Sequence, residues 1–265
     1  MRWVTGLLAM FLVARAGALP TENYGFSVLP APVAVDGEAG EWDLGQTLFV
    51  CGDVNRYAET YALRFGAKYD EKYLYVLAYW FDKTPMNNPG QVSADHGWYG
   101  DSLQLRIMTG TGKGSKVTHV TAWRGVAGGD VVDLTYGADL KGGSIKNAKL
   151  KGVLQAFGVR SDKSGYVQEL AIPWELITKD KKALAKGDTL KLAAEANFTL
   201  DNGGRLTIKG NWNPDAPIDR IFTYRQPDPW GYVTLTDQPA AKPLDVRLSD
   251  GRKFPTVMSG NKPAV

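Results

Sequence analysis

The chain has 265 residues, of which 44% are hydrophobic and 22% are charged, a balance typical of a globular protein with a substantial core. Its formal net charge is only +3, and Lys and Arg are scattered between acidic residues, so the sequence predicts no nucleic-acid or other polyanionic partner. Gly (30 residues) and Pro (14 residues) recur at short intervals, which indicates many turns between many strands.

The first residues have the features of an export signal. Arg2 supplies a positive charge, residues 3–13 form an apolar run, and three alanines lie within residues 14–18. The apolar run is shorter than the roughly 20 residues that a membrane-spanning helix needs. We therefore predict a signal peptide over residues 1–18, no membrane span, and a secreted or periplasmic location.

The remaining chain divides into three parts. Residues 19–33 are predicted to be an extended lead-in, residues 34–237 a single β domain, and the Pro- and Lys-containing residues 238–265 a tail. Within the domain, runs rich in Tyr, Val, Leu and Thr are bounded by Gly, Asp, Asn or Pro, the pattern of strands between turns. Strands are predicted near 47–51, 60–69, 73–82, 101–109, 117–124, 130–136, 150–159, 165–172, 188–200, 205–210 and 230–236.

Two of these strands, 101–107 and 189–200, place an apolar residue at every second position and mostly polar residues between them. This period of two predicts one face in the core and one face open to water or ligand. By contrast, residues 73–81 are apolar on both faces, as in a central strand that is covered on both sides.

Helical signal is scarce. Residues 172–177 are the one clear candidate, because Pro173 fits the first turn of a helix. Many strands and at most one or two short helices predict an all-β fold, a two-sheet antiparallel β-sandwich of the jelly-roll or immunoglobulin-like type.

The sequence lacks a recognisable catalytic constellation. The two histidines, His96 and His119, do not have a metal-chelating spacing, no Gly-x-Ser-x-Gly motif is present, and residues 110–114 form a polar turn rather than a phosphate loop. Asp101 and Glu169 are carboxylates of the type that a glycosidase needs, but nothing in the sequence places them together. We therefore predict that the protein is not an enzyme.

A group of aromatic residues lies in polar loops, beside Gly, Asp, Asn and Pro. Such rings either fold back as lids on the ends of the sandwich or present a flat apolar face that can stack on a sugar ring. For the group as a whole we favour sugar binding, with nearby polar side chains bonding the hydroxyls. The candidate ligand-binding residues are the aromatics Trp98, Tyr99, Trp212 and Tyr224 and the polar residues Gln104, Arg106, Glu195, Asn197 and Arg225.

Five segments of the chain together resemble a known family, and they span nearly all of residues 34–237. The sequence resembles family 9 carbohydrate-binding modules and the related DOMON-like sandwich domains, including those of haem-carrying, ethylbenzene dehydrogenase gamma-like subunits. The matching segments, in order, are Val35-Asp-Gly37 with Glu41-Trp42, residues 67–75 (AKYDEKYLY), 98–105 (WYGDSLQL), 165–174 (GYVQELAIPW) and 230–235 (WGYVTL).

The resemblance implies a site as well as a fold. Family 9 modules hold a terminal sugar between two aromatic rings, and by position these are Trp98 and Tyr224, the second being Tyr where Trp is usual. The positions that match sugar-contacting ones are Gln104, Glu195 and Asn197. The resemblance thus implies an exported, non-catalytic carbohydrate-binding protein that acts in polysaccharide catabolism beside exported enzymes or redox subunits.

The resemblance also implies possible cofactors. Family members bind structural calcium through carboxylates and carbonyls, and the candidate ligands here are Asp70, Asp82 and Asp101. The haem-binding relatives offer an alternative function, a b-type haem domain for electron transfer, whose axial ligands would come from Met, His or Lys. A purely structural or interaction module is the third alternative. The candidate haem ligands are Met86, His96, His119 and Lys209.

Overall fold

The structure, a computed structural model, describes residues 26–51, 54–95, 97–199, 205–211, 227, 230–238, 245–247 and 253–255. It is 45% strand and 12% helical, which confirms a mainly β fold with almost no helix. The helices within the described residues are short: α1 (Val54–Tyr57), α2 (Trp174–Ile177) and single 3₁₀ turns such as Leu44–Gln46 and Gly97–Tyr99. The helix expected after Pro173 is therefore confirmed.

The strands are numbered in chain order. They are β1 Phe26–Pro30, β2 Leu48–Val50, β3 Tyr61–Tyr69, β4 Tyr73–Asp82, β5 Ser102–Thr109, β6 Lys116–Arg124, β7 Asp130–Tyr136, β8 Ser144–Ile145, β9 Leu154–Val159, β10 Tyr166–Pro173, β11 Thr189–Thr199, β12 Arg205–Asn211, β13 Gly231–Leu235, β14 Asp245–Arg247 and β15 Lys253–Pro255. Every predicted strand is present within a few residues. Strand β1 lies in the predicted lead-in, and β14 and β15 lie in the predicted tail.

Hydrogen bonding joins thirteen of these strands into one sheet, which curls into a half-barrel. Its order is β8-β7-β6-β5-β11-β13-β1-β3-β4-β10-β9, with β12 beside β11 and β2 beside β3. Strand β1 connects the two parts of the sheet, because its first residues pair in parallel with β13 and its last two with β3. The predicted division into two separate sheets is not confirmed.

The sheet therefore has two halves, which we call the β5 half (β5 to β8 and β11 to β13) and the β4 half (β2 to β4, β9 and β10). Their inner faces pack into one apolar core. Leu103, Leu105 and Ile107 of β5 are fully buried in it, as the alternation predicted. In the β4 half, the Trp80 ring stacks on Tyr166 with centroids 5.1 Å apart.

A chain of side-chain amides crosses this core. Trp80 Nε1 donates to Gln168 Oε1 (3.2 Å), and Gln168 Nε2 donates to Gln155 Oε1 (3.2 Å). Gln155 Nε2 in turn lies 3.3 Å from the carbonyl oxygen of Trp123, to which it donates. Because Gln155 is in β9 and Trp123 in β6, these hydrogen bonds connect the two halves of the curled sheet.

The outer face of the β4 half is covered by the segment 33–46. Val33 and Trp42 from this segment pack against Tyr75 and Leu77 of β4. Strand β4 is thus buried on both sides, as its apolar sequence predicted.

The signal peptide predicted for residues 1–18 lies outside the described residues. Among the residues that the structure does describe, no helix is both long and apolar enough to cross a bilayer.

Candidate functional site

The outer face of the β5 half carries a row of polar side chains on its two longest neighbouring strands. The register pairs Gln104 of β5 with Glu195 of β11, and Ser102 with Asn197. We call these four residues, together with Arg106, the polar row. Each of the five is at most 3% exposed. The alternation predicted the side to which these residues point, but not that the face is buried from water.

Part of the cover over this face comes from the segment before β13. The Trp230 ring packs edge-on against His119, with centroids 5.9 Å apart. Lys191, also on the outer face of β11, donates to the carbonyl oxygen of Pro227 (3.1 Å). Polar side chains on a covered face must find partners within the protein or in a bound molecule.

Arg106 orients its two neighbours in the polar row. Its Nη2 donates to Gln104 Oε1 (2.9 Å) and lies 3.8 Å from Glu195 Oε2. A guanidinium group can only donate, so it holds the Gln104 carbonyl toward itself and turns the amide nitrogen away. Gln104 Nε2 therefore remains as a donor and Glu195 Oε1 as an acceptor that Arg106 does not engage.

Three side-chain amide or carboxylate atoms of the row have no hydrogen-bond partner in the described part of the chain. They are Gln104 Nε2, Glu195 Oε1 and Asn197 Oδ1. Asn197 uses its Nδ2 to donate to Ser102 Oγ (3.1 Å), and this bond does not engage its carbonyl oxygen. Since most buried polar groups in proteins are hydrogen-bonded, three such atoms on adjacent strands indicate a place for a polar ligand.

His119 lies directly across from Arg106 on the neighbouring strand β6. Burial, with a smaller effect of the Arg106 charge, lowers the pKa of His119 to about 3, so its imidazole is neutral at ordinary pH. Its Nε2 lies 3.2 Å from the carbonyl oxygen of Gly137, which can only accept, so Nε2 carries the proton. The charges of this row are thus one guanidinium and one carboxylate, a balance that suits an uncharged polar ligand.

The 3₁₀ turn Gly97–Tyr99 lies at the start of β5. The Trp98 and Tyr99 rings are 5.9 Å apart, with Trp98 half-buried and Tyr99 55% exposed. Gly97 packs against the indole of Trp123, so closely that a Cβ on Gly97 would lie 2.2 Å from Trp123 Cε3. Trp123 is an outer-face residue of β6, as His119 is, so the turn is held on the same side of the sheet as the polar row.

Several predicted site residues lie outside the part of the chain that the structure describes. Trp212, Tyr224, Arg225 and His96 are not among the described residues, and neither is the side chain of Lys209 in β12. The pairing of Trp98 with Tyr224 therefore stays a prediction. The predicted polar residues that the structure does bring together are Gln104, Arg106, Glu195 and Asn197.

Two residues of this face, Ser102 in the row and Trp123 beside it, were not singled out as site residues from the sequence. Ser102 could have been, because it belongs to the same alternating series as Gln104 and Arg106. Trp123 could not, because its contact with Gly97 depends on the register of β6 against β5.

Asp82 and Asp101 are both buried at the end of β4 and the start of β5. Asp101 accepts from the backbone N–H groups of Thr199 and Asn87, each at 2.6 Å, and Asp82 Oδ1 accepts from that of Thr84 (2.9 Å). Burial, followed by the charge of Asp82, raises the pKa of Asp101. The two carboxyl groups therefore lie within hydrogen-bonding distance of each other in a poorly solvated place, where both are not readily ionised together.

Asp70, the third acidic candidate, is a turn residue. Its carboxylate accepts hydrogen bonds from the backbone of Lys72 (2.8 Å) and Tyr73 (2.7 Å) and from the Tyr75 hydroxyl (2.7 Å). These bonds close the turn between β3 and β4 and engage both carboxylate oxygens. Within the described ranges, no group of three or more His, Cys, Asp or Glu residues is placed to hold a metal ion.

The haem candidates that the structure describes are not brought to one pocket. Met86 packs against the inner core and lines an open cleft of about 450 Å³ together with Arg124 and Val126. His119 lies on the outer face of the β5 half and does not line this cleft.

Comparison with known proteins found several solved structures that are similar to this chain. No protein-family model and no curated protein matches the chain. A family 9 carbohydrate-binding module from Caldicellulosiruptor kristjanssonii in complex with cellotriose is 14% identical, with a TM-score of 0.48, and the match covers 80% of this chain and 93% of that one. The same kind of module from that organism in complex with glucose is 15% identical, with a TM-score of 0.47 and coverages of 80% and 95%.

The third structure is a protein from Bacteroides uniformis described as carbohydrate-binding. It is 14% identical, with a TM-score of 0.46, and the match covers 79% of this chain and 97% of that one. The structural neighbours are thus carbohydrate-binding proteins. At these identities no site residue is carried over from them to this chain.

Proposed function

We propose that the protein is an exported, non-catalytic carbohydrate-binding protein that binds a sugar against the polar row. The observation that carries the proposal is the set of three buried polar atoms without partners, on Gln104, Glu195 and Asn197. Sequence reasoning had named the same three residues as sugar contacts. Trp98 and Tyr224 are proposed to hold the sugar ring from two sides, with Tyr99, Trp212 and Arg225 around them.

The chemistry of the three atoms suits a sugar. Gln104 Nε2 is a donor, whereas Glu195 Oε1 and Asn197 Oδ1 are acceptors, and a sugar hydroxyl can serve as either partner. Side chains directly opposite on neighbouring strands have Cβ atoms about 5 Å apart, so Gln104 and Glu195 can bond neighbouring hydroxyl groups. A carboxylate that accepts from a hydroxyl gives one of the stronger hydrogen bonds.

The test is a glycan-array screen followed by calorimetric titration of the best ligand. We expect Glu195→Gln and Asn197→Ala to weaken binding about tenfold or more, since hydrogen bonds to charged and buried groups contribute roughly 1.5–3 kcal/mol. We expect Trp98→Ala and Tyr224→Ala each to weaken it several-fold through lost stacking.

The matched control is Tyr73→Ala, which removes a half-buried aromatic ring from the β4 half. It should leave the affinity unchanged. Full binding by folded Glu195→Gln and Asn197→Ala variants would show that the polar row is not the site. Full binding by both aromatic variants would refute the stacking assignment alone.

The haem alternative is separated by an absorption spectrum of the same purified protein. A carbohydrate-binding protein has no band in the Soret region, whereas a b-type haem domain has a strong one. A band at one haem per chain would establish the electron-transfer alternative and overturn sugar binding at this site.

We also propose that Asp82 and Asp101 hold a structural calcium ion. The supporting observation is the burial of two neighbouring carboxylates, the arrangement in which a divalent cation would relieve repulsion. Calcium binds six to eight oxygen ligands, which backbone carbonyls and water could complete. We expect calcium to raise the unfolding temperature of the natural protein but not that of Asp82→Asn. Asp70→Asn, which loses turn bonds instead, should still respond, and a response of Asp82→Asn equal to that of the natural protein would contradict the assignment.

A further inference from the structure

Two loops meet at the end of β5 that lies away from Trp98. One is the connection from β5 to β6, residues 110–115, and the other is the connection from α2 to β11, residues 178–188. Lys116, the first residue of β6, donates from Nζ to the carbonyl oxygen of Thr178 (3.3 Å). Lys179 Nζ donates to the carbonyl oxygen of Lys113. The two loops are thus joined by ammonium groups that bond to backbone carbonyls rather than to carboxylates.

We call five lysines of this region the lysine cluster: Lys113, Lys116, Lys179, Lys181 and Lys182. Four are exposed and Lys116 is half-buried. Between the two loops lies a cleft of about 490 Å³, and Lys179 is one of its lining residues. The cleft, which Asp180 also lines, is therefore a concave surface beside the cluster.

The positive charge of the cluster is not neutralised within the described part of the chain. None of its five lysines forms a salt bridge there, whereas the nearby Lys186 pairs with Asp237. The acidic residues of the loop are Asp180 and Asp188, which accept from the backbone N–H groups of Lys182 (3.2 Å) and Ala185 (2.7 Å). Five ammonium groups thus face two carboxylates, both of which are engaged in turns.

The ammonium groups are close enough to affect one another. Burial, followed by the charge of Lys181, lowers the pKa of Lys116. Lys116 also lies over the Tyr136 ring, 4.7 Å from its centroid, which helps to keep the ammonium group in place. Positive groups that are held near one another without a counter-charge attract anions more strongly than the same groups spread over a surface.

We propose that the lysine cluster is a second binding surface, one that takes an anionic polysaccharide carrying carboxylate or sulfate groups. The residue types of the cluster favour a polysaccharide over a nucleic acid as the ligand. The cluster has no arginine, the residue that most often contacts bases. The neighbouring Tyr136 ring is covered by Lys116 instead of being open for base stacking.

The surface is distinct from the polar row and lies beyond the far end of β5, one of the strands that carry that row. Gln104 and Thr109 are five residues apart along β5, which is about 17 Å at roughly 3.4 Å per residue. One extended polymer is long enough to contact both places. The lysine cluster does not depend on the proposed sugar site, because its contacts and charges are independent of the polar row.

The proposal is tested by titrating the full chain with dextran sulfate and with neutral dextran. We expect binding to dextran sulfate only, and a loss of roughly tenfold or more in affinity between about 50 and 200 mM NaCl, because binding releases counterions. The triple variant Lys113→Gln, Lys179→Gln, Lys181→Gln should lose about tenfold or more at low salt. The control with the same net charge replaces three exposed lysines elsewhere, Lys83, Lys151 and Lys163, by Gln and should lose less than about twofold.

Three further results would each test one part of the proposal. Equal losses in the two triple variants would show that only net charge matters and would overturn the site. Single-stranded DNA binding as tightly as dextran sulfate at equal charge would overturn the polysaccharide class. The Asn197→Ala variant should bind dextran sulfate normally, so a failure of the proposed sugar site and a failure of the lysine cluster give different results.

Discussion

Each half of the curled sheet buries one glutamate on its outer face, and the two are bonded in opposite ways. In the β4 half, Glu169 Oε1 accepts from Trp42 Nε1 (2.7 Å), and Oε2 accepts from the backbone N–H groups of Gly37 (2.9 Å) and Asp36 (3.1 Å). In the β5 half, Glu195 Oε2 lies 3.8 Å from Arg106, and Oε1 has no partner within the described residues.

The difference separates a structural carboxylate from one available to a ligand. Glu169 fastens the segment 33–46 to the sheet, and both its oxygens are used. Burial raises the pKa of Glu169, while its three hydrogen bonds oppose that effect. Burial alone therefore does not point to a site, whereas a buried carboxylate with an unused acceptor is what the proposed sugar site requires.

The largest expected effect is a difference in stability between variants of the two glutamates. Glu169→Gln places an amide nitrogen against either the Trp42 or the Gly37 donor, which should lower the free energy of unfolding by about 3 kcal/mol. Glu195→Gln keeps a carbonyl facing Arg106 and should cost no more than about 1.5 kcal/mol. Urea denaturation of the two variants measures this, and equal losses would remove the distinction.

The next contrast uses two glycines in tight contacts. A Cβ on Gly158 would lie 2.3 Å from the carbonyl oxygen of Gly37, and one on Gly97 would lie 2.2 Å from Trp123. Each Gly→Ala change should cost about 2 kcal/mol through overpacking. Only Gly97→Ala should also weaken sugar binding, because it displaces the turn that carries Trp98. Calorimetric titration that shows the same affinity for both variants would place Trp98 outside the site.

A third contrast is in pH dependence, and it concerns the β5 half. The pKa of His119 is about 3 in the folded protein, against an ordinary value of about 6.5 when unfolded. Below pH 6.5 the unfolded chain therefore binds a proton that the folded chain does not, and stability falls as the pH decreases toward 3.

The slope of this loss is at most about 1.4 kcal/mol per pH unit. His119→Gln cannot take up the proton and should show a flatter stability curve between pH 6.5 and 5, where most carboxylates have not yet titrated. Identical curves for the variant and the natural protein would assign the acid sensitivity to another group.

The smallest expected change in the free energy of unfolding is that of a tyrosine substitution, and it differs between the two halves of the sheet. Tyr99 is 55% exposed, whereas Tyr73 in the β4 half packs against Tyr75 with ring centroids 5.6 Å apart. Tyr99→Ala should change the free energy of unfolding by less than about 0.5 kcal/mol, and Tyr73→Ala should cost roughly 1 kcal/mol. Thermal unfolding of both variants tests this, and a large loss in Tyr99→Ala would make Tyr99 a structural residue.

Most of the fold was predictable because the strands follow local rules. The alternation in β5 and the apolar run in β4 placed these strands and their inner faces correctly. Strand β1 was missed because residues 26–30 form a strand only by pairing with β13 and β3, which are distant in sequence. The same long-range pairing makes one curled sheet where a two-sheet sandwich was expected.

The candidate site was predictable only in part. The residue types and alternation named Gln104, Glu195 and Asn197, but their hydrogen bonds depend on the register between β5 and β11. The lysine cluster shows the reverse case. Its residues come from two segments more than sixty positions apart. In the sequence these lysines are scattered, and the sequence alone therefore predicted no polyanionic partner.

The position of β1 has a consequence for the order in which the chain can fold. Phe26 and Val28 pair with Val233 and Leu235. Strand β1 can therefore complete its pairing only after nearly the whole domain has been synthesised. Contacts between such distant residues are associated with slow folding. Chains that are cut short before residue 231 would leave β1 with an open strand edge, and such edges promote aggregation.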